Sequence, residues 1–318
     1  MTAAATEFGY REGKSRDLRS TFTISALAVH HTATKMGVID GPPPSPAQIE
    51  AEWGVQRETV EFVAAQPGGS YWVCEDEGRA VGYARVCSFG EMEQLTELMV
   101  LPSHHARGIG RQLLERCFPH DPTPDLGRLV TAAGAANDLT LYTDFGMMPV
   151  AGHWHMRAQA ADYVERRALE TDISEPAVHA LEGDRAAAEW KVLEPPAVSH
   201  RRPQLHDFFA RTRTCLATMD PETGSATALC WIGKGGDIGP AVAVTPADLV
   251  PVVLGALDRV AKTREPRMFG VYCATDSWWL LRRLRQLGFR VYWPGWVMSS
   301  IPLPGLDRYM PMRPPHLL

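Results

Sequence analysis

The sequence lacks the patterns that mark membrane, secreted and nucleic-acid-binding proteins. No run of about 18 apolar residues occurs in its 318 residues, so no segment is predicted to span a bilayer. The N-terminus has no apolar segment of the kind found in signal peptides. The net charge of −5 argues against an electrostatic nucleic-acid surface, because such surfaces are basic. We therefore expect a cytoplasmic protein without a nucleic-acid or membrane partner.

Paired cysteines and metal-binding motifs are also missing. The six cysteines are scattered and form no CxxC pair, which predicts buried free thiols in a reducing compartment. No HExxH occurs either, so we expect no metal. Hydrophobic residues make up 45% of the chain and charged residues 22%, as is typical of globular proteins. The length suffices for two domains of ordinary size.

The most informative stretch runs from Leu95 to Phe118. A short apolar run stopped by Pro102 predicts a strand, and apolar residues at intervals of three and four after Gly110 predict a helix. The intervening turn carries two glycines. Unpaired amides and the positive end of a helix dipole meet at such a point, which suits phosphate binding. Glycine there admits a phosphate close to the backbone.

Two common phosphate loops are excluded at this turn. The P-loop requires GxxxxGK[ST], and the dinucleotide-binding fingerprint requires three glycines followed by an acidic residue about 20 positions later. Neither pattern is present. A GxG pair alone is equally typical of a surface turn. Only the wider sequence pattern can distinguish a phosphate-binding loop from such a turn.

That wider pattern resembles the acetyl-CoA-binding segment of the GNAT acyltransferase superfamily. In that family a strand ending V-x-P precedes a short polar loop and then [RQ]-x-x-G-x-[GA] at a helix start. Val100-Leu101-Pro102 matches the strand end and residues 105–110 match the loop, although His105 replaces the usual Arg or Gln. The resemblance implies acetyl-CoA as co-substrate, held by these residues: Met99, Val100, His105, Ala106, Arg107, Gly108, Ile109, Gly110, Arg111 and Asn137.

The order of predicted elements around this stretch is that of the GNAT fold. Two helices, from Asp17 to about Met36 and from a capping box at Ser45 to about Ala65, precede a β-hairpin. After the central strand and its helix come a further strand, a helix closed by Gly146 and a closing strand pair. The resemblance covers roughly the first 158 residues.

The second half repeats this order. Val244-Thr245-Pro246 matches Val100-Leu101-Pro102, and Gly288 lies 44 residues after Val244, as Gly146 lies 46 after Val100. No GxG follows Pro246, where a capping box predicts an immediate helix start. We predict an α/β protein (α+β, mixed sheet) of two tandem GNAT-fold domains, each with a centrally splayed sheet flanked by helices. Residues 1–160 form the catalytic domain, and 161–318 a degenerate copy without the phosphate loop.

The resemblance also suggests the catalytic groups. It implies direct attack of an amine on the thioester, with Tyr142 as the acid that protonates the thiolate. The counterpart of Tyr142 in the second copy is Leu284. Glu97, inside the central strand, is the candidate base, although a polar residue on the wetter face of a strand is an equal alternative.

Other groups leave alternatives open. Histidine is a common general base, and four histidines are alternatives to Glu97: His30, His31, His153 and His155. Four tryptophans of the second half, Trp278, Trp279, Trp293 and Trp296, are expected to pack in a core or interface. We expect an N-acyltransferase for a small amine. O-acyl transfer or decarboxylation of an acyl-CoA, and a CoA-binding sensor without turnover, are the alternatives. The oligomeric state does not follow from the sequence.

Overall fold

The computed structural model describes residues 8–133, 136–170 and 176–313. Contacts divide the chain into two compact units, described separately below. The first contains residues up to 130 together with 144–146, and the second contains 131–143 and everything from 147. The predicted boundary at residue 160 stays a prediction.

The first unit begins with helices and continues as an antiparallel sheet. Its elements are β1 (Gly9–Glu12), α1 (Leu18–Lys35), α2 (Pro46–Ala64), β2 (Ser70–Asp76), β3 (Arg79–Ser88), β4 (Met92–Val100), α3 (Ile109–Cys117) and β5 (Gly127–Ala133), of which the last three residues belong to the second unit. The strand order is β1-β2-β3-β4-β5. Only β4 and β5 are parallel.

Local sequence explains where the first two helices lie. The Ser45 hydroxyl accepts from the Gln48 amide at 3.3 Å, and the Ser45 amide donates to the Gln48 side chain at 2.8 Å, which is the predicted capping box. Pro46 occupies the first helical position, where its missing N–H costs nothing. Phe22 of α1 packs against Trp53 of α2 with ring centroids 5.2 Å apart. This contact and Leu18, Ile49 and Val60 bury the facing apolar sides of both helices.

The second unit contains two groups of strands. Its elements are α4 (Ala136–Asp144, whose last residue is assigned to the first unit), β6 (Met148–Gln159), α5 (Ala160–Ala168), β7 (His179–Leu181), α6 (Gly183–Leu193), α7 (Pro195–Val198), α8 (Pro203–Thr212), β8 (Arg213–Met219), β9 (Ala226–Gly233), β10 (Ile238–Ala243), α9 (Leu249–Arg264), β11 (Met268–Ala274), α10 (Trp278–Gln286), β12 (Arg290–Ser299) and β13 (Tyr309–Met310). One group has the order β12-β6-β11, and the other β13-β10-β9-β8-β7.

The pairing of strand β6 explains why the contacts do not divide the chain at residue 160. It pairs antiparallel with β11 on one edge and with β12 on the other. The closing strand of the first predicted copy is therefore built between two strands of the second. Its alternate residues Met156 and Ala158 join a core that also contains Phe269, Val271 and residues of α9 and α10. Burial of this face fixes the register of β6.

Several sequence predictions are corrected here. The helix predicted to start at Thr245 begins at Leu249, because Thr245 and Asp248 bond to each other in a turn at 2.6 Å. Each predicted closing strand pair is one long strand, β6 or β12. The prediction that the tryptophans pack is wrong for Trp278, Trp279 and Trp296, which are 69%, 64% and 40% exposed. The predicted mixed α/β fold with helices against the sheet is confirmed.

Candidate active site

The junction between β4 and α3 has the backbone geometry of an anion site. Gly108 precedes α3 with φ of +77°, and Ala106 also has a positive φ of +59°. Alternation of left- and right-handed residues turns successive amides toward one side. The first bond into the helix runs from the Gln112 amide to the Gly108 carbonyl at 3.1 Å, so the amides of Ile109, Gly110 and Arg111 precede it. These amides and the helix dipole favour a bound anion.

The side chains around this loop anchor it or supply charge. His105 bonds through Nε2 to the Val100 carbonyl at 2.9 Å, and His104 bonds to Asp76 at 3.0 Å. Arg111 forms an ion pair with Asp144. Arg107 is exposed, and no ion pair is recorded for it in the described part of the chain. The loop thus carries an uncommitted positive charge where an anion would sit.

Strand β4 leaves its neighbour β5 halfway along its length. A bulge at Thr96 interrupts the register with β3, and parallel pairing with β5 covers Met92–Leu95. Bulges bend a strand and end pairing. Among the described strands only β3 pairs with the C-terminal half of β4, so its other edge is unpaired there.

The orientation of the backbone makes Val100, and not Met99, the candidate hydrogen-bond donor at the unpaired edge of β4. The Leu101 amide donates to the Val81 carbonyl of β3 at 2.8 Å, and successive residues of a strand direct their backbone groups to opposite edges. The N–H and C=O of Met99 therefore point at β3, and those of Val100 point away from it. The bond from His105 to the Val100 carbonyl agrees with this orientation. The Val100 amide lies on the edge that β5 leaves.

Glu97 lies in a buried ion pair. It is 3% exposed, its Oε2 is 2.5 Å from Nη1 of Arg85, and its Oε1 accepts from the Tyr83 hydroxyl at 2.8 Å. Glu97 pairs directly with Arg85 across the two strands. The Glu97 carboxylate raises the pKa of Arg85, although burial opposes this. Protonation of Glu97 would leave Arg85 unpaired, so the pair opposes a role for Glu97 as base in the free protein.

Tyr83 and Arg85 are functional candidates that sequence reasoning missed. They stand two apart on β3 and so share a face, and Arg85 also lies over the Tyr71 ring at 4.7 Å. Tyr71 in turn bonds to Thr21 of α1 at 2.9 Å. The available signal was two polar residues at period two inside an otherwise apolar strand, opposite a strand with one carboxylate.

Tyr142 is a buried residue of α4. Its side chain is 8% exposed, and burial raises its pKa well above the usual value, with Asp138 adding to the effect. The phenol is thus protonated at neutral pH, as an acid must be. Asn137 lies in the first turn of α4 and is exposed. Both residues belong to the second unit.

A cavity of about 480 Å³ lies beside the β4–α3 loop in the first unit. Its walls include His30 and His31 at the end of α1 and Leu101 and Pro102 after β4. The ring of His31 lies 5.6 Å from that of His105, edge to face. The structure therefore brings the predicted first histidine pair close to the loop. It places the second pair, His153 and His155, on β6 in the second unit.

The described residues contain neither a metal-binding group nor a membrane-spanning helix. In the ranges 8–133, 136–170 and 176–313, no group of three His, Cys, Asp or Glu side chains could hold a metal ion. No helix in those ranges is both long and apolar enough to cross a membrane.

Residues 67–146 match the family model described as an acetyltransferase (GNAT) domain. The match covers 80 of the 318 residues, and this segment is similar to a GNAT domain. The matched span contains β3, the whole β4–α3 junction and α4. It therefore includes the predicted phosphate loop as well as Glu97 and Tyr142.

Solved structures extend the likeness over nearly the full chain. A proposed acetyltransferase of Pyrococcus horikoshii has a TM-score of 0.68 at 14% identity, covering 98% of this chain and 96% of its own. A tandem GNAT protein from the clavulanic acid biosynthesis pathway has a TM-score of 0.55 at 14% identity, with coverages of 93% and 99%. A GCN5-related N-acetyltransferase from Sphaerobacter thermophilus has 0.53 at 15% identity, with 92% and 95%. No curated protein sequence matches. These likenesses show the fold, and the tandem GNAT prediction is confirmed.

Proposed function

We propose that this protein is an acyl-CoA-dependent N-acyltransferase that transfers an acetyl group to a small amine. The observation that carries the proposal is the open β4–α3 junction, where unbonded amides, a free arginine and an unpaired strand edge adjoin each other. The GNAT domain match over the same residues supports it.

The loop suits the pyrophosphate of coenzyme A. Gly108 has no other atom within 4 Å of the position that a Cβ would occupy, so its side is open for an anion. The amides of Ile109, Gly110 and Arg111 would donate to the phosphate oxygens, with Arg107 supplying charge. Acetyl-CoA supplies the thioester, which carries the acyl group in activated form. Residues of the chain would hold this thioester and polarise its carbonyl group.

The chemical step requires three groups. The Val100 amide would donate to the thioester oxygen as negative charge develops there, a contribution of about 3 kcal/mol for one well-placed donor. The amine nitrogen bonds to the carbonyl carbon and the C–S bond breaks. Tyr142 would give its proton to the departing thiolate. Glu97 would accept the proton of the amine, at the cost of its ion pair with Arg85.

The cavity beside the loop supports a small acceptor. Its walls are mainly apolar, with imidazoles from His30 and His31, and a volume of about 480 Å³ suits a small molecule. No run of acidic residues that would receive a basic protein tail stands out in the sequence. We therefore assign the acceptor to small-molecule amines.

The Glu97 ion pair favours one alternative, binding of CoA without turnover. A carboxylate committed to Arg85 is a poor base, and a CoA-binding sensor needs none. Binding and turnover therefore have to be measured separately.

The proposal is tested by calorimetric titration of acetyl-CoA into the wild type and Gly108→Asp. The variant places a carboxylate in the anion site and strains a positive φ, so we expect affinity to fall by at least about 100-fold, from loss of charge-assisted bonds. Gly78→Asp is the matched control, since Gly78 has φ of +74° and equally open space in a hairpin turn. It should bind as the wild type does.

The outcomes separate the hypotheses. One site per chain that is lost only in Gly108→Asp supports the loop as the CoA site, and a screen of small amines for release of free CoA thiol then tests turnover. Equal binding by Gly108→Asp would move the site elsewhere. Binding without release of thiol for any amine would favour the sensor.

A further inference from the structure

One face of β6 in the second unit carries polar and aromatic groups that the proposed transfer does not use. His153, His155 and Arg157 alternate with the core residues Trp154, Met156 and Ala158, so they lie on the face opposite that core. Tyr272 of β11 pairs directly with His155. A bulge in β12 presents Tyr292 beside them. We call His153, His155, Arg157, Tyr272 and Tyr292 the β6 cluster.

The rings of the β6 cluster form an ordered stack. Tyr272 is parallel to His155 and His153 within 16°, with ring centroids 4.3 and 5.5 Å apart, and Tyr292 meets His155 edge to face at 5.3 Å. Gly270 makes room for this arrangement, because a Cβ there would lie 2.8 Å from Nε2 of His155. Gly270 is exposed and pairs with Arg157 across the two strands.

The positive charge of the cluster is not neutralised. Arg157 lies 3.5 Å above the Tyr292 ring and donates to Nε2 of His155 at 3.3 Å. Arg157 and Arg313 are both close enough to lower the pKa of His155, which burial and these charges bring to about 3. No carboxylate is paired with either arginine among the residues that the structure describes. The cluster thus holds a neutral imidazole that is hydrogen-bonded to the guanidinium group of Arg157.

A buried polar atom points independently to a ligand. His153 is 5% exposed, and its Nε2 has no hydrogen-bond partner in the described part of the chain. Burial of an unpaired polar group costs free energy, so such groups mark sites that water or a ligand completes. Exposure decreases along the face from Arg157, which is half-buried, to His153. Burial therefore increases along the face toward His153.

We propose that the β6 cluster binds a small aromatic carboxylate. The carboxylate would pair with Arg157 and Arg313, since arginine matches carboxylate geometry, and the flat ring would stack on the imidazole and phenol faces. One negative charge suits the site better than a phosphate dianion, because its histidines are neutral. The proposal does not depend on the acyltransferase function.

The test uses benzoate as the probe, titrated calorimetrically into the full chain. We expect saturable binding, weakened about tenfold or more in Arg157→Gln and in Gly270→Ala, because the first removes the charge partner and the second displaces the His155 ring from the stack. Arg282→Gln is the matched control, since Arg282 is exposed on α10 and no ion pair is recorded for it in the described chain. It should bind benzoate as the wild type does.

Two neutral or inorganic probes sharpen the result. Benzamide, which has the ring without the charge, and inorganic phosphate, which has charge without the ring, should each bind at least about tenfold more weakly than benzoate. Equal binding of either probe, absence of benzoate binding, or an unchanged affinity in Arg157→Gln would overturn the proposal. Acetyl-CoA affinity measured in Arg157→Gln should equal that of the wild type, which keeps this result separate from the loop.

Discussion

The two strand-to-helix junctions that sequence aligns differ in what their backbones leave free. After β4, positive φ angles at Ala106 and Gly108 turn amides outward before α3 begins. After β10, the Thr245 hydroxyl donates to the Asp248 carboxylate at 2.6 Å and accepts from its amide at 3.4 Å. The second turn thus satisfies its own groups and places a carboxylate at the helix start. A phosphate would be repelled there.

The edges of β4 and β10 also differ, since one is partly unpaired and the other is paired. The C-terminal half of β4 lies beyond its pairing with β5. The equivalent β10 pairs with β9 on one edge and with β13 on the other, through Ala241 with Met310 and Val242 with Tyr309. The Val244 amide, which aligns with that of Val100, donates to the Thr227 carbonyl at 2.8 Å and is therefore not free for a pantetheine chain. Leu284, the counterpart of Tyr142, is fully buried in an apolar core. The second copy therefore differs from the first in the loop, in the strand edge and in the missing hydroxyl.

The largest expected effect concerns a feature that the two units share. Each buries an Arg–Glu pair, Arg85 with Glu97 in the first and Arg202 with Glu194 in the second. Arg85→Met should lower the free energy of unfolding by about 3–5 kcal/mol, because the buried Glu97 carboxylate loses its charged partner. Arg202→Met should cost less, because His206 still bonds to the Glu194 carboxylate at 2.6 Å. Chemical denaturation of both variants measures this loss of stability.

The control for this pair is the exposed ion pair of Arg57 with Glu61. Arg57→Met should cost less than about 1 kcal/mol. A loss below about 1 kcal/mol in Arg85→Met as well would mean that Glu97 is not committed to Arg85 in solution. That result would strengthen its assignment as the base.

An intermediate effect is expected at the residue that distinguishes the two copies chemically. Tyr142→Phe should lower turnover about 100-fold, the lower end for loss of a general acid, with acetyl-CoA affinity nearly unchanged. Burial raises the pKa of Tyr142 above 10, so the hydroxyl stays protonated through the neutral range and its loss should show at every pH from 6 to 9. Steady-state rates and calorimetry measure the two quantities.

Leu284→Met provides the comparison for Tyr142. It keeps the volume of a core side chain in the second unit, and turnover should stay within about twofold of the wild type, since that copy has no acid to lose. A Tyr142→Phe rate equal to that of Leu284→Met would remove Tyr142 from the mechanism.

The smallest effect is expected from the side chains that fix each junction. His105→Ala removes the bond to the Val100 carbonyl and Thr245→Ala removes the bond to Asp248. Because both sites are exposed, each should cost only about 0.5 kcal/mol of stability. Only His105→Ala should weaken acetyl-CoA binding, by a few-fold, since the loop it holds is the proposed CoA site. Equal effects of both variants on binding would mean that His105 does not organise the loop.

The sequence predicted those features that depend on neighbours along the chain. Pattern and propensity suffice for features that involve only a few neighbouring residues. Examples are the GxG turn, the strand stopped by Pro102 and the capping box at Ser45. The repeated element order follows from such local features taken in sequence. The sequence placed Glu97 inside the central strand, but it did not identify the partner of its carboxylate. Arg85 becomes its partner only through the register of β3 on β4, which the bulge at Thr96 sets.

The sequence by itself determined a GNAT domain with a glycine turn at a helix start, because local backbone chemistry specifies that turn. The tertiary structure decided which groups are free to act. It paired Glu97 with Arg85, used the free edge of β10 for β13 and built β6 between β11 and β12. It also gathered His155, Arg157 and Tyr272 on one face. These arrangements depend on strand pairing between residues far apart in sequence, and pairing is fixed by burial of whole sheet faces.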